Sequence, residues 1–234
     1  MLFTEKRAGE TPLELLERLR RENPALATET LSYAGRLDPM AEGVMLILVG
    51  EKENQEREKY LGLDKEYIAT FMAGVATDTG DALGLITQTA DTVPTRTNVE
   101  RVVESLKKTT SQTYPWFSSQ TVDGVPLFEH YKKGNTDIER PSRDVTIYEA
   151  ELLGVEDRPR TTVRAYILET IAQVHGDFRQ EEIASQWQRV DLPAHVSTFQ
   201  VRLKVSSGTY IRALGEVMPW PATLLSLRRT HVFV

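Results

Sequence analysis

Three short segments of the sequence carry side chains that could do chemistry together. GRLDP contains Asp38, KEYIATFMAGVATDTGDALG contains Tyr67, and VSSGTYIRALG contains Tyr210 and Arg212. A carboxylate can act as a nucleophile or a base, and a neighbouring arginine favours its charged form. Each segment alone also has an ordinary interpretation, because an aspartate before proline starts turns, a strand tyrosine fills cores and most arginines are solvated.

Other kinds of catalytic site have no support in the residue pattern. The sequence contains no cysteine, which excludes disulfides, thiol catalysis and cysteine-ligated metals. The histidines are far apart and form no H-E-x-x-H pattern; they are His130, His175, His195 and His231. There is no G-x-S-x-G, P-loop or G-x-G-x-x-G segment. We therefore expect neither a metal nor a cofactor.

Size and composition indicate one globular domain. The chain has 234 residues, of which 40% are hydrophobic and 26% charged, and we interpret residues 1–234 as a single domain. Because there is no apolar run of about 18 residues and no secretory signal pattern, we expect a cytoplasmic protein without a membrane span. The net charge of −6 argues against a sequence-blind nucleic-acid binder, but it allows an enzyme with a local basic surface.

Several segments have helical spacing. In TPLELLERLRREN, Thr11 and Glu14 have the spacing of a capping box. The predicted buried stripe of this helix contains Leu13, Leu16 and Leu19. TNVERVVESLKKT predicts a second helix, with Thr97 and Glu100 as its capping box. Shorter helices are predicted in ENQEREKYLGL, before Gly134 and in RQEEIASQWQRV.

Strands are predicted from apolar runs and β-branched composition. The run from Val44 to Val49 predicts a buried strand, and KEYIATFMAGVATDTGDALGLIT predicts strand, turn and strand. RDVTIYEAELLGV, TTVRAYILETIAQV and ATLLSLRRTHVFV are further strand candidates, and TFQVRLKVSSGTYIRALGEVMP predicts strand, turn and helix. This irregular order favours an α+β or mixed α/β fold over a regular βαβ series.

Taken together and in this order, the three segments resemble the motifs of the TruB family of tRNA pseudouridine synthases. The G-x-L-D-P motif and its following strand match Gly35, Leu37, Asp38, Pro39, Gly43 and Val44. The K-x-Y motif and its Thr-Asp-Thr turn match Lys65, Tyr67, Thr77, Asp78 and Thr79. The S-x-G-T-Y-I-R motif matches Ser206, Gly208, Thr209, Tyr210, Ile211 and Arg212. Weaker matches extend the resemblance from about Lys6 to His231.

The resemblance implies a fold and a reaction. The expected fold is that of pseudouridine synthases, a largely antiparallel mixed sheet flanked by helices with a central catalytic cleft. The expected reaction converts a uridine at position 55 of the tRNA T-loop to pseudouridine through an essential aspartate, without a cofactor. Many family members carry an additional C-terminal RNA-binding domain, and residues 1–234 resemble the catalytic domain standing alone.

The resemblance also implies roles for individual residues. Asp38 is the expected catalytic carboxylate, with Arg212 holding its charge through a two-point contact and Tyr67 forming a platform for the extruded base. The other expected substrate-binding residues are Lys65, Tyr210, Tyr33, Arg36, Gly208 and Thr209. Tyr210 is also expected to support Arg212. Asp78 and Asp81 are expected to shape their turn.

The expected partner is the T-arm of tRNA, bound by a monomer. Basic side chains that could meet phosphate are Lys6, Arg7, Arg36, Lys132, Lys133, Arg140, Arg143, Arg228 and Arg229. Some positions depart from the family pattern: Tyr33 replaces a usual histidine, Arg36 a common threonine and Thr121 a lysine. Arg7 stands where proline is usual, and the usual glycine after the RTH stretch is missing. These departures concern RNA contacts and leave the expected catalytic residues in place.

Two alternatives remain open at this point. GRLD also occurs in pseudouridine synthases that act on ribosomal RNA, so another RNA is a possible target, although the second and third motifs favour the tRNA family. A non-catalytic RNA-binding or chaperone protein on the same fold is the alternative from a different class.

Overall fold

The predicted mixed α+β architecture is confirmed by the computed structural model, which describes residues 1–91, 94–176 and 178–234. The helices are α1 Pro12–Glu22, α2 Gly50–Gln55, α3 Arg57–Leu61, α4 Arg96–Leu106, α5 Leu127–Lys132, α6 Arg160–Gln173 and α7 Gln180–Arg189. Short 3-10 helices span Pro24–Leu26 and Arg212–Val217. The strands are β1 Leu2–Lys6, β2 Leu31–Tyr33, β3 Glu42–Val49, β4 Asp64–Ala73, β5 Val75–Thr77, β6 Ile86–Thr89, β7 Ser111–Thr113, β8 Thr121–Val122, β9 Val125–Pro126, β10 Ser142–Asp144, β11 Ile147–Pro159, β12 His195–Val205 and β13 Ala222–Phe233.

A central sheet joins the three segments that carry the candidate site. Within the described residues its order is β1-β3-β13-β4-β12-β11. Strand β2 pairs with residues 47–49 of β3, at the end opposite the one that pairs with β13. The β13–β3 pair is parallel and the other pairs of this sheet are antiparallel. The sheet is therefore largely antiparallel and mixed, as predicted. Because β4 lies between β13 and β12, the second motif is central.

Strand β3 forms the rigid support behind the GRLDP segment. Met45 and Ile47 belong to the main hydrophobic core, whereas Leu46 and Leu48 belong to a smaller cluster with Ala34. Alternate side chains of a strand point to opposite faces, so this strand is buried on both faces. The prediction of a buried strand from Val44 to Val49 is confirmed at its centre, with half-buried residues at each end.

The first helix begins as predicted, but its buried stripe is shifted. The Glu14 N–H donates to Thr11 Oγ1 at 3.2 Å, and the Thr11 N–H donates to Glu14 Oε2 at 2.7 Å, which confirms the capping box. Leu13 was wrongly placed in the core, because it is 60% exposed, whereas Leu15 is fully buried. The helix packs through the stripe that includes Leu15, Leu16 and Leu19.

Three other predictions of secondary structure need correction. Helix α4 is capped by Thr95 and Asn98, not by Thr97 and Glu100. TTVRAYILETIAQV forms α6, not a strand, and its buried residues are Val163, Ile167, Thr170 and Ile171. That spacing is helical, so packing of one face overrides the preference of Thr, Val and Ile for strands. The helix expected after SSGTY is limited to the 3-10 turn Arg212–Val217.

The remaining predicted elements are present. ENQEREKYLGL contributes to α2 and α3, RQEEIASQWQRV forms α7, and ATLLSLRRTHVFV forms β13. Residues 1–91, 94–176 and 178–234 include no helix that is both long and apolar enough to span a membrane.

Candidate active-site cleft

The GRLDP segment lies between β2 and β3 as a tight turn. Gly35 has φ +90°, a left-handed conformation that favours glycine. The Ala34 N–H donates to Leu46 O at 2.9 Å, and the Ala41 N–H donates to Asp38 O at 3.0 Å. The first bond ties the beginning of the segment to the middle of β3, and the second closes the turn just before β3 begins, so the Asp38 side chain is presented from a defined backbone.

Two buried cations hold this turn through its carbonyl groups. Lys6 is 1% exposed, and its ammonium donates to Pro39 O at 3.1 Å and to Ala41 O at 2.5 Å. Arg229 is also 1% exposed, and its Nε donates to Val44 O at 2.6 Å. Longer contacts join its Nη atoms to the carbonyl groups of Gly35 and Arg36. Buried cations require such partners, because an unpaired charge is costly in a low-dielectric interior.

These contacts correct the expectation that Lys6 and Arg229 meet phosphate. Lys6 is enclosed by carbonyl groups on the turn, and burial lowers its pKa to about 8 despite nearby carboxylates. Arg228, also expected at phosphate, forms ion pairs with Glu5 and Glu42. The structure therefore gives Lys6 and Arg229 a positioning role for the GRLDP turn.

Asp38 and Arg212 are in direct contact, although they are 174 positions apart in the sequence. Arg212 Nη1 donates to Asp38 Oδ2 at 3.2 Å. The Arg212 side chain is 4% exposed, whereas that of Asp38 is 40% exposed. Arg212 also donates from Nε to Thr79 O at 3.0 Å and from Nη2 to Phe117 O at 2.6 Å. The expected two-point contact is therefore a single contact, because backbone carbonyls take the other donors.

Asp81 adds a second carboxylate to Arg212. Its Oδ2 lies 3.9 Å from Arg212 Nε, and its Oδ1 accepts from Thr79 Oγ1 at 2.7 Å and from the Leu83 N–H at 3.0 Å. Burial raises the pKa of Asp81 to about 6, while the charge of Arg212 opposes that rise. The charges of Asp38 and Asp81 raise the pKa of Arg212 above its ordinary value, against the effect of burial.

Asp78 and Asp81 bond to the backbone of their own turn, as expected, but these bonds are only part of their contacts. Asp78 Oδ1 accepts from the Leu85 N–H at 2.7 Å, as a turn-former would. Asp78 Oδ2 also accepts from Arg179 Nη1 at 2.8 Å. Each aspartate of this turn therefore pairs with an arginine from a distant part of the chain, which the local sequence does not indicate.

A cleft of about 660 Å³ opens beside Asp38. Eight of the nine predicted site residues line it, namely Arg36, Asp38, Lys65, Tyr67, Gly208, Thr209, Tyr210 and Arg212. The ninth, Tyr33, lies under the Arg36 guanidinium, with 6.0 Å from Arg36 Cζ to the ring centroid. Of these two residues, Arg36 lines the cleft and Tyr33 does not, among the residues that the structure describes.

Tyr67 and Tyr210 approach the cleft from different elements. Tyr67 is on β4, opposite Leu203 in β12 and Arg229 in β13, and is 7% exposed. Tyr210 follows β12, and its ring lies under Arg212, with 5.3 Å from Arg212 Cζ to the centroid. This contact fits the expected support of Arg212 by Tyr210. Both rings line the cleft, so either can contact a flat ligand beside Asp38.

Gln112 fixes the backbone of Tyr210. The Tyr210 N–H donates to Gln112 Oε1 at 2.9 Å, and Gln112 Nε2 donates to Tyr210 O at 3.2 Å. Gln112 is on β7 and 7% exposed. No motif in the sequence indicates this residue, because its role depends on bringing β7 beside the turn after β12. Ser118 also lines the cleft, and its buried hydroxyl has no hydrogen-bond partner in the described residues.

Lys65 lies in the wall of the cleft and is 4% exposed. Its ammonium donates to Leu61 O at 3.0 Å and also to Leu63 O. Burial, together with the charges of Arg229 and Arg143, lowers the pKa of Lys65 to about 8. The expected substrate-binding residue is therefore already bonded to the backbone, and it contributes positive charge to the wall.

The residue types in the cleft suit a carboxylate-dependent reaction on a flat ligand. Asp38 is accessible and paired with Arg212, and the rings of Tyr67 and Tyr210 line the same cleft. Among the described residues, no group of three or more His, Cys, Asp or Glu side chains is arranged to hold a metal ion.

Comparison with known proteins gives one consistent family. The model of the N-terminal domain of TruB family pseudouridylate synthases matches residues 24–174. The chain is 30% identical over 236 residues to tRNA pseudouridine synthase B of Aromatoleum aromaticum, covering 99% of this chain and 62% of the relative. It is 31% identical over 236 residues to tRNA pseudouridine synthase B of Geobacillus thermodenitrificans, covering 98% of this chain and 66% of the relative. The chain thus spans roughly two thirds or less of these relatives.

Two solved structures share the fold. A Cbf5-Nop10-Gar1 complex aligns with a TM-score of 0.52 and 19% identity, over 97% of this chain and 47% of the other. An H/ACA RNP bound to a substrate RNA containing 2'-deoxyuridine aligns with a TM-score of 0.51 and 18% identity, over 97% and 45%. At this identity the similarity shows the fold alone.

Proposed function

Because the chain belongs to the TruB family of pseudouridylate synthases, we propose that it converts a uridine in tRNA to pseudouridine with Asp38 as the catalytic carboxylate. The observation that carries the proposal is the Arg212–Asp38 contact at 3.2 Å in a cleft that also contains Tyr67 and Tyr210. The names of the similar proteins support tRNA as the substrate. The target is the T-loop uridine at position 55, bound by a monomer.

The reaction exchanges one glycosidic bond for another without a change of oxidation state. The bond from ribose C1′ to uracil N1 breaks, the base turns, and a bond from C1′ to C5 forms. The C5 proton leaves and N1 gains a proton, so atoms and electrons balance. A single carboxylate acting as nucleophile or base is sufficient for such a step.

The cleft supplies what this reaction needs besides the carboxylate. Arg212 pairs with Asp38 and is itself fixed by Thr79 O and Phe117 O. The uridine must leave its stack to reach Asp38, and extruded bases stack on aromatic rings. Tyr67 is the proposed platform, and Tyr210 lines the same space while supporting Arg212.

The test is pseudouridine formation on unmodified tRNA transcripts, with mapping of the modified position. We expect the unaltered protein to modify the T-loop uridine and Asp38→Asn to lose roughly a thousandfold or more of the rate, as is common when an essential catalytic group is removed. Asp157→Asn is the matched control, since Asp157 is exposed on β11 in the edge strand of the sheet. It should retain the full rate.

Three other outcomes contradict parts of the proposal. Modification of ribosomal RNA fragments but not tRNA would assign a different substrate. Tight tRNA binding without modification by the unaltered protein would indicate a binding or chaperone protein. Full activity of Asp38→Asn would remove Asp38 from the mechanism.

A further inference from the structure

Arg143 lines the cleft, and the described residues provide no hydrogen bond or ion pair to its side chain. It lines the cleft from β10, and its Nε is buried without a hydrogen-bond partner in the described residues. Over those same residues, its side-chain contacts include no ion pair with a carboxylate. Arg212, by contrast, has Asp38 at 3.2 Å and two carbonyl acceptors. A buried donor without an acceptor is uncommon and costly, so this one calls for an explanation.

The position of Arg143 is nevertheless well defined. Its backbone pairs with Gln112 across the β10–β7 ladder, and Gln112 in turn holds Tyr210. Its guanidinium carbon lies 6.0 Å from the centroid of the Tyr114 ring. An arginine held by aromatic and backbone packing, rather than by a carboxylate, keeps its Nη donors available for a ligand.

Gly208 makes room for this guanidinium. A Cβ atom at Gly208 would overlap Nη1, Nη2 and Cζ of Arg143. Gly208 also has φ +79°, which favours glycine. The glycine of the third motif therefore allows the arginine of β10 to lie directly against the backbone of the SSGTY turn.

Aromatic and cationic groups connect Arg143 to the catalytic centre. Arg212 lies over Tyr210, the Tyr210 ring contacts Tyr114 edge-on with 5.8 Å between centroids, and Arg143 lies over Tyr114. A nucleotide whose base reaches Asp38 would thus have its backbone within the same continuous cleft. Ser207 and Thr209 line the wall next to Gly208 and add hydroxyl groups.

The charge of this wall favours an anion. Lys65, Arg57, Arg143 and Arg229 line the cleft, and the charges of Arg143 and Arg229 are close enough to Lys65 to affect its pKa. This local excess of positive charge occurs in a chain with a net charge of −6. A phosphodiester is the anion that an RNA substrate brings, and a guanidinium fork matches its paired oxygens.

We propose that Arg143 binds a backbone phosphate next to the uridine held at Asp38, in a site that Gly208 keeps open. This inference rests on the proposed function for the identity of the ligand. It assigns Arg143 to substrate binding and gives it no part in the bond changes at the base.

The experiment measures binding of a T-arm stem-loop RNA in the Asp38→Asn background, where turnover is slow. Single phosphates near the target uridine are replaced, one at a time, by neutral methylphosphonate. We expect one such replacement to lower affinity roughly tenfold, and to have no effect once Arg143 is Gln, since both changes remove the same charge-assisted contact. Arg143→Gln should lower affinity for the unmodified RNA by a similar factor.

Salt dependence gives a second measure of the same contact. The slope of log affinity against log salt concentration should fall by about one in Arg143→Gln. Arg143→Lys should retain the slope, because it keeps the charge, while losing part of the affinity. Gly208→Ala should weaken binding with Arg143 present, because the added Cβ displaces the guanidinium. Arg202→Gln is the matched control on β12, where Arg202 pairs with Glu151 at 2.7 Å, and it should change neither quantity.

Two results would overturn the inference. One is an unchanged affinity and salt slope in Arg143→Gln with a native unfolding transition. The other is that every methylphosphonate lowers the affinity of Arg143→Gln as much as that of its parent. Pseudouridine formation by the protein with Asp38 intact is measured on the same stem-loop. Activity without coupling between Arg143 and a phosphate removes the inference alone, whereas coupling without activity supports the inference and removes the proposed function.

Discussion

The arginines on two walls of the cleft differ in their burial and in their partners. One wall holds the proposed catalytic carboxylate, and we call it the catalytic wall. Asp38 and Arg212 line it, Asp81 pairs with Arg212, and this arginine is nearly fully buried with an oxygen partner for every part of its fork. The wall proposed to bind phosphate, which we call the phosphate wall, is formed by Lys65, Arg143 and Gly208, and its arginine is half-buried and packed against a ring and a glycine.

The two arginines therefore differ in where their partners come from: the folded protein supplies those of Arg212, whereas a ligand can supply those of Arg143. A fully buried arginine needs its counter-charges in the folded protein itself, because removing one partner leaves an uncompensated charge. A half-buried arginine still reaches solvent, so its donors can exchange water for a ligand. We infer that the catalytic wall is assembled before RNA binds and that the phosphate wall is completed by RNA.

Removal of Arg212 should give the largest effect on stability. Arg212→Met would leave Asp81 buried beside Asp38 without a cation, and we expect the free energy of unfolding at pH 7 to fall by about 3–5 kcal/mol. Denaturation in guanidinium chloride measures this change. The double variant Arg212→Met with Asp81→Asn should recover part of the loss, since the uncompensated charge is gone. A single variant as stable as the unaltered protein would contradict the account of the catalytic wall.

The second prediction concerns the pH dependence that Asp81 gives to stability. Its folded pKa of about 6 lies above the ordinary value of 3.8, so its contribution is fully present below about pH 4 and is lost as pH rises through 6. Asparagine does not titrate in this range. Between pH 4 and pH 7, the stability of Asp81→Asn relative to the unaltered protein should therefore rise by about 2 kcal/mol.

Denaturation curves across that pH range, measured for both proteins, check this prediction. The same comparison in the Arg212→Met background is the sharper control. Without the arginine, the pKa of Asp81 should lie higher still, so the rise should extend to higher pH. A stability difference that stays constant from pH 4 to pH 7 would show that Asp81 ionises as readily in the fold as in the unfolded chain.

Local sequence patterns predicted most elements of the fold, and their failures have physical causes. Thr95 with Asn98 and Thr97 with Glu100 both satisfy the spacing of a cap, so spacing alone could not choose the start of α4. TTVRAYILETIAQV is rich in β-branched residues, yet it folds as a helix because one face packs into the core. Strand preference depends strongly on such context.

The residues that line the cleft were predictable where they belonged to one of the three sequence motifs. Eight of the nine residues predicted for the site line one cleft, because each motif places several side chains on one turn or strand. The roles of these residues remain proposals. The contact of Asp38 with Arg212 was expected from the resemblance. The pairing of Asp81 with Arg212 and of Gln112 with Tyr210 was not predictable, because it depends on how the sheet brings distant turns together.

Basic side chains show the same limit of prediction from sequence. Lys6 and Arg143 appear equally suited to phosphate in the sequence, yet Lys6 is enclosed by carbonyl groups and Arg143 faces the cleft. Sequence reports that a side chain is charged but not which acceptor it meets. Burial and hydrogen-bond partners, which depend on the whole fold, decide between a positioning and a binding role.

Removal of the Arg143 guanidinium from the phosphate wall should change stability least. Stacking of Arg143 on Tyr114 stabilises the fold by about 0.5–1 kcal/mol, but its buried Nε lacks an acceptor and costs about as much or more. We therefore expect Arg143→Gln to change the free energy of unfolding by less than about 1 kcal/mol, in contrast to Arg212→Met. Guanidinium denaturation of the two variants side by side measures both. A loss of 2 kcal/mol or more in Arg143→Gln would mean that Arg143 is a structural residue like Arg212, and the two walls would then differ in exposure alone.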